Sequence, residues 1–376
     1  MSIPPPSGSV KISIDMDREP AVRRRITLQH LADTLGVSKT TVSNAFGRPD
    51  QLSTELRERI LETARSAGYG GPDPVARMLR TGRAGAIGLL LPQSLPFALD
   101  DPVTGELLRG IADACEERRL GLLVIPGTVQ ARDPRAIIDV AVDGFIAYSL
   151  PSDSAVLRHV RDRGTPLVIV DEPRLPGVAT VSIDDPAAAA LVARHLLGLG
   201  HRRFAIVSLP FGSDGYTGPA DAARVAGATY DVAVRRYEGY RSVLVEAGID
   251  PAGVPMFECA ASDEALGRQA ALRLVEAATP PTAILAMSDP LALGVLRAAR
   301  ERRIDVPRQL SVAGIDDVPG AARSRPALTT VRQPLRLKGY AAARLLLDAP
   351  GVVGRDELDL PIELVIRRST GPAPHA

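Results

Sequence analysis

Beyond residue 84 the chain alternates short apolar runs with longer amphipathic stretches. Runs at 86–91, 120–125, 144–147, 167–170, 180–183, 204–207, 283–286 and 311–314 predict strands. Stretches at 104–119, 154–163, 186–199, 234–247, 263–277, 290–303 and 335–347 carry apolar positions at helical spacing and predict helices. Strand–helix alternation implies parallel sheets covered by helices on both faces. So many strands and helices need two cores, hence two lobes. Parallel sheets take ligands beyond the carboxyl ends of their strands, so facing lobes would hold one ligand in the cleft between them.

Residues 27–46 have another pattern, two short helices around Gly36. Thr27 and Ser38 suit the two N-caps, because a hydroxyl accepts from an orphan backbone N–H. Leu28, Leu31, Ala32, Leu35, Val37 and Val42 make the inner face. Ala32 permits close helix approach, and Gly36 tolerates the positive φ of a sharp turn. The second helix turns Ser38, Lys39, Thr40, Ser43 and Asn44 outward, all hydrogen-bonding groups. This is a helix-turn-helix suited to a DNA major groove. Its plainer alternative is a helical hairpin with a polar face.

Charge favours the DNA reading. Residues 21–84 carry a net +5, whereas the whole chain of 376 residues is only +1. A basic head on a mildly acidic body suits a polyanionic partner for the head alone. Hydrophobic residues make up 45% and charged residues 24%, as in ordinary globular proteins, and no apolar run reaches membrane-spanning length. The first 24 residues lack the apolar core of a signal peptide, and their Pro and Ser content predicts a disordered tail. Cys115 and Cys259 are far apart and have no metal-ligand spacing with any histidine, which predicts free buried thiols in a reducing cytoplasm.

Several predicted strands end in carboxylates: Asp171, the pair Asp184 and Asp185, Asp289 after Ser288, and Asp316 with Asp317. An Asp there commonly caps the next helix, and Asp184, Asp185 and Asp289 read as such caps, with Pro following in the first turn. Asp316 precedes Val318-Pro319-Gly320, a weak helix start, and stays a ligand candidate. No nucleophile elbow, phosphate loop or metal pair is present, so neither an enzyme nor a cofactor is expected. Gly82, Gly85 and Gly88 lead into a strand rather than follow one, and read as a linker.

Joined to this body, the helix-turn-helix resembles the LacI/GalR family of bacterial transcription regulators. The likeness runs over residues 25–370 through VSKTTVSNAF, PDPVARML, VDGFIAYS, RRYEGYR, SVAGIDD and TTVRQP. It implies an all-α helix-turn-helix domain at 25–71 after a tail at 1–24, and a hinge helix with linker at 72–84. An α/β two-lobed periplasmic-binding-protein-like domain follows at 85–370. Lobe 1 would take 85–184 and 334–350, and lobe 2 would take 185–332 and 357–370. The implied partners are double-stranded operator DNA, a sugar or nucleoside-like effector and a second copy of the chain, with no metal and no membrane. The implied location is the cytoplasm, on the nucleoid.

The resemblance places DNA contacts at Thr27, Ser38, Lys39, Thr40, Ser43, Asn44, Arg77 and Leu79. Asn44 stands where the family often has Arg, which turns preference from guanine towards adenine. Leu79 would be an apolar wedge in the minor groove. The segment 73–79 is too short to hold a helix by itself and would fold against its dimer mate. Effector contacts fall on Asp171, Arg236, Asp316, Gln333, Phe97 and Tyr148. The loop 211–230 is longer than the family leads one to expect and would overhang the cleft. A solute receptor without a DNA role, and an enzyme on a sugar or dinucleotide, are the competing readings.

Overall fold

The computed structural model describes residues 26–71, 73–127, 140–348 and 357–374; the expected tail at 1–24 lies outside them. Contacts divide the chain into two units, with the division between Arg83 and Ala84.

The first unit is helical. Helices Leu28–Leu35, Lys39–Gly47 and Thr54–Ser66 enclose Leu31, Ala32, Val42, Ala45, Ile60 and Ala64. Hydroxyls cap all three: Thr27 accepts from His30 N at 3.4 Å, Ser38 from Thr41 N at 3.0 Å and Ser53 from Leu56 N at 3.3 Å. Gly36 closes the first helix at φ +66°. Phe46 and Tyr69 meet edge to face at 5.8 Å, tying the second helix to the chain beyond the third. The helix Pro74–Thr81 follows. It is formed in the single chain, where nucleation cost had suggested it needs a mate. Pro74 at its first position has φ already set for a helix.

The second unit holds thirteen described strands: β1 (Ala86–Leu90), β2 (Gly121–Ile125), β3 (Phe145–Tyr148), β4 (Leu167–Val170), β5 (Ala179–Ile183), β6 (Phe204–Ser208), β7 (Gly218–Ala220), β8 (Met256–Glu258), β9 (Ala283–Ala286), β10 (Ser311–Asp316), β11 (Thr329–Arg332), β12 (Glu357–Leu360) and β13 (Glu363–Val365). The first sheet runs β12-β5-β4-β3-β1-β2 and is parallel throughout. The second runs β13-β11-β10-β9-β6-β8-β7, with only its edge strands β13 and β7 antiparallel.

Helices cover both faces of each sheet. Alternation in β1 sends Ile87 and Leu89 to the core shared with Leu107 and Ile111, and Leu90 to the core shared with Val156 and Val160. In the second sheet Ile206 and Leu285 face Tyr240 and Val243, while Val207 and Ile284 face Ala270 and Val295.

The chain crosses between lobes after β5, at Gln333 and between β12 and β13. The second return corrects the expected lobe boundary. Residues 357–360 do not belong to the second lobe; β12 pairs with β5, from Glu357 opposite Thr180 to Leu360 opposite Ile183. A four-residue strand exposed along most of its length carries no local mark of the sheet it joins.

Glycine sets the helix spacing. A Cβ on Gly110 would lie 1.8 Å from the Arg336 carbonyl oxygen, and one on Gly339 2.1 Å from that of Leu107. Helices Pro102–Arg118 and Leu335–Asp348 therefore touch backbone to backbone. Gly110→Ala is expected to lower stability by about 1–3 kcal/mol through overpacking. Gly105→Ala, with only the Arg109 guanidinium at 3.9 Å, is expected to raise it by up to about 1 kcal/mol through helix propensity. Denaturant titration followed by circular dichroism separates the two.

Candidate functional site

In the first unit the residues singled out for DNA lie on and around the helix Lys39–Gly47. Lys39 and Thr40 are exposed in its first turn, and Ser43 and Asn44 are half-buried one turn later. Ser38 already caps this helix and shares a 2.8 Å hydrogen bond with the Thr41 hydroxyl, and Thr27 caps the preceding one. Leu79 is 79% exposed on Pro74–Thr81, and the Arg77 side chain lies outside the described residues.

In the second unit the carboxyl ends of β1, β3, β4, β6 and β10 open into one cavity of about 260 Å³ between the lobes. Of the six expected effector residues, Tyr148, Asp171, Arg236, Asp316 and Gln333 line it. Phe97 does not, which corrects that expectation. Residues 95–100 coil into a short helix, so Pro92 and Gln93 before it and Asp101 and Val103 after it take the wall.

Three lining residues hold positive φ without being glycine: Ser149 at +46°, Asp171 at +68° and Asp316 at +131°. Such strain collects where surrounding structure fixes a functional geometry.

A line of polar contacts joins the lobes beneath the cavity. Asp171, on the first lobe, accepts from the Lys338 ammonium at 2.6 Å. Lys338, wholly buried, also donates to Gln333 Oε1. Gln333 Nε2 donates to Asp316 Oδ1 at 2.6 Å, on the second lobe. Arg236 stands 3.8 Å from the same carboxylate. Its Nε donates to buried Asp185 Oδ1 at 2.9 Å and its Nη1 to the Met287 carbonyl. Burial opposes the Arg236 charge, but Asp185 and Asp316 outweigh that and hold it ionised.

Sequence reasoning missed Lys338, although it is one of only three lysines in the chain. It also took Asp289 for a cap. Ser288 is the cap, and Asp289 is a buried brace accepting from the Thr330 hydroxyl at 2.6 Å and Val318 N at 3.0 Å. Asp184 caps its helix as expected, whereas Asp185 lies within that helix and pairs with Arg236.

Burial pushes Asp316 up to about 6 against the opposing pull of Arg236, and raises Asp289 beside it. Burial also holds the Tyr148 phenol well above its usual range. Glu172, pushed up to about 8 by burial, bridges the lobes by accepting from Val232 N at 2.7 Å and from the Ser149 hydroxyl at 3.2 Å. Gln93 Oε1, at the cavity wall, is buried without a hydrogen-bond partner. Among the described residues no group of three or more His, Cys, Asp or Glu is placed to hold a metal ion, and Cys115 and Cys259 are free and buried.

The profile of the periplasmic binding protein-like domain matches residues 193–370. An HTH-type transcriptional regulator of Mycobacterium tuberculosis is 43% identical over 359 residues, 94% of this chain and 99% of that protein. The crystal structure of a LacI-family transcriptional regulator from Corynebacterium glutamicum superposes with a TM-score of 0.70 at 34% identity, covering 92% of this chain and 98% of that one. The regulator CelR in complex with cellobiose superposes with a TM-score of 0.66 at 26% identity, covering 92% and 100%.

Lys338→Met is expected to cost about 3–5 kcal/mol, because it leaves Asp171 with an uncompensated, largely buried charge. Adding Asp171→Asn to it should recover most of the loss. Denaturation of both single variants and the double variant measures this coupling.

Proposed function

The chain belongs to the LacI family of helix-turn-helix transcriptional regulators, and from that premise we propose that it is a dimeric, operator-binding repressor controlled by a neutral, hydroxyl-rich effector held in the interlobe cleft. It is a regulator, not an enzyme. The likeness to the mycobacterial regulator spans 94% of the chain and so takes in the head, which leaves the receptor reading without support. No helix among the described residues is long and apolar enough to cross a membrane. The place of action we infer is the nucleoid.

The observation that carries the effector reading is the cavity's charge balance. Asp101, Asp171 and Asp316 offer carboxylate oxygens, Glu172 a carboxyl group pushed up to about 8, and the two cations beside them are already engaged, Arg236 with Asp185 and Asp316 and Lys338 with Asp171. An anion would find both neighbouring cations already committed to carboxylates. Sugar or nucleoside hydroxyls would find carboxylate acceptors, with Gln93 Oε1 as one more. The volume of about 260 Å³ lies just below the roughly 300–1,000 Å³ usual for small-molecule sites, which suits a small occupant.

Two heads on a dimer would meet successive major grooves of a near-palindromic site. Lys39, Thr40 and Asn44 would read bases, while Thr27, Ser38, Ser43 and Arg77 would hold phosphates. Leu79, exposed and apolar, supports the reading of a minor-groove wedge. The effector shifts the DNA-bound population only through its different affinity for two lobe arrangements.

A mobility-shift titration of the full chain on a selected operator, with and without sugars and nucleosides, tests the proposal. No salt-sensitive preference for any duplex would overturn it. Asn44→Arg is expected to turn the preferred base from adenine to guanine at one operator position, a discrimination of about 1–3 kcal/mol, read by selection from a randomised duplex library.

Effector affinity carries its own pH signature. With Asp316 raised to about 6, a proton competes for the acceptor oxygens at a pH where an ordinary aspartate stays ionised. Affinity should fall below that pH, approaching tenfold per unit. Asp316→Asn should abolish both the response and this pH dependence while operator binding survives; calorimetry from pH 5 to 8 reads both.

A further inference from the structure

Between β6 and the helix Asp231–Glu246 the chain takes a long path, from Leu209 to Tyr230. Strand-to-helix connections in α/β units usually need only about 2–6 residues. This one makes the edge strand β7, antiparallel to β8, and then the short helix Ala222–Ala226. It closes on itself where Thr229 N and Tyr230 N both donate to the carbonyl of buried Phe211, at 2.7 and 3.1 Å. Gly212, Ser213 and Gly215 on the outgoing limb and Tyr230 on the return line the interlobe cavity.

One side chain fastens this strap. Arg224 donates to both oxygens of Asp214, at 2.8 and 2.7 Å, and to both oxygens of Glu258, at 2.6 and 2.9 Å. Its guanidinium also lies 4.8 Å over the Tyr216 ring. Glu258, wholly buried at the end of β8, accepts in addition from Phe211 N at 2.8 Å. Tip, return helix and sheet are thus joined through charge-assisted bonds to one planar group. The far end meets the other lobe, where Ser152 N donates to the Thr229 carbonyl at 2.8 Å.

We propose that this strap is the size filter of the effector cavity, a braced wall that admits a single-ring sugar and shuts out a second ring. The inference rests on the effector reading above and narrows it to a ligand class. A wall carried only by its own backbone would yield to a longer ligand. One fixed to a buried carboxylate, and touching the opposite lobe, yields only if those bonds break.

The test uses the full-length protein with glucose, ribose and cellobiose as probes, followed by calorimetry and stopped-flow release. The wild type should bind one of the two monosaccharides and not cellobiose. Asp214→Ala with Tyr216→Ala removes the tip's hold while leaving Arg224 on Glu258. It should speed monosaccharide release by about tenfold or more and admit cellobiose. Ser213→Trp should block the monosaccharide while melting temperature and operator binding stay unchanged. Release rates and probe selectivity identical to the wild type in the double variant would overturn the strap alone. Equal wild-type affinity for cellobiose and glucose would do the same. No binding of any probe by the wild type would overturn the sugar reading beneath it as well.

Discussion

A lysine ammonium with no access to water organises the cleft. An ion in that position is tolerated only when paired and hydrogen-bonded, and Lys338 meets the condition through Asp171 and Gln333. In doing so it fixes the orientation of the Gln333 amide, whose oxygen faces the ammonium and whose nitrogen faces Asp316. The two carboxylates that face each other across the cavity are thereby tied to one buried charge. Arginine supplies 42 of the chain's 45 basic residues, yet a lysine stands here. A compact ammonium on a flexible stem meets one carboxylate and one amide oxygen without the five fixed donors of a guanidinium, each of which would need its own partner.

Specific polar bonds cross the seam between the lobes. Glu172 with Val232 and Ser152 with Thr229 cross it directly, and the line through Lys338 runs beneath it. Strained backbone at Ser149, Asp171 and Asp316 lies along the same rim. A ligand that replaces or adds to such bonds changes the relative free energy of lobe arrangements, which is the physical content of effector control.

The helical unit works by local rules instead. Its caps, its turn glycine and its apolar face lie within a few residues of one another, and each supports the same arrangement. Agreement between local signals of this kind is what lets a short segment present a polar helix face reliably.

The chain itself specified the helix-turn-helix, the strand–helix rhythm, the two lobes and most of the expected residues that line the interlobe cavity. Those follow from periodicity, capping and residues next to strand ends, all short-range properties. Tertiary structure alone decided the rest. It put Glu357–Leu360 in the first sheet, since register between strands far apart in sequence leaves no local trace. It turned Asp289 from a cap into a buried brace and drew Lys338 to Asp171, 167 residues away. It kept Phe97 out of the cavity by coiling residues 95–100. Which partner a buried charge finds depends on burial and on long-range packing, and neither exists until the two lobes have closed around it.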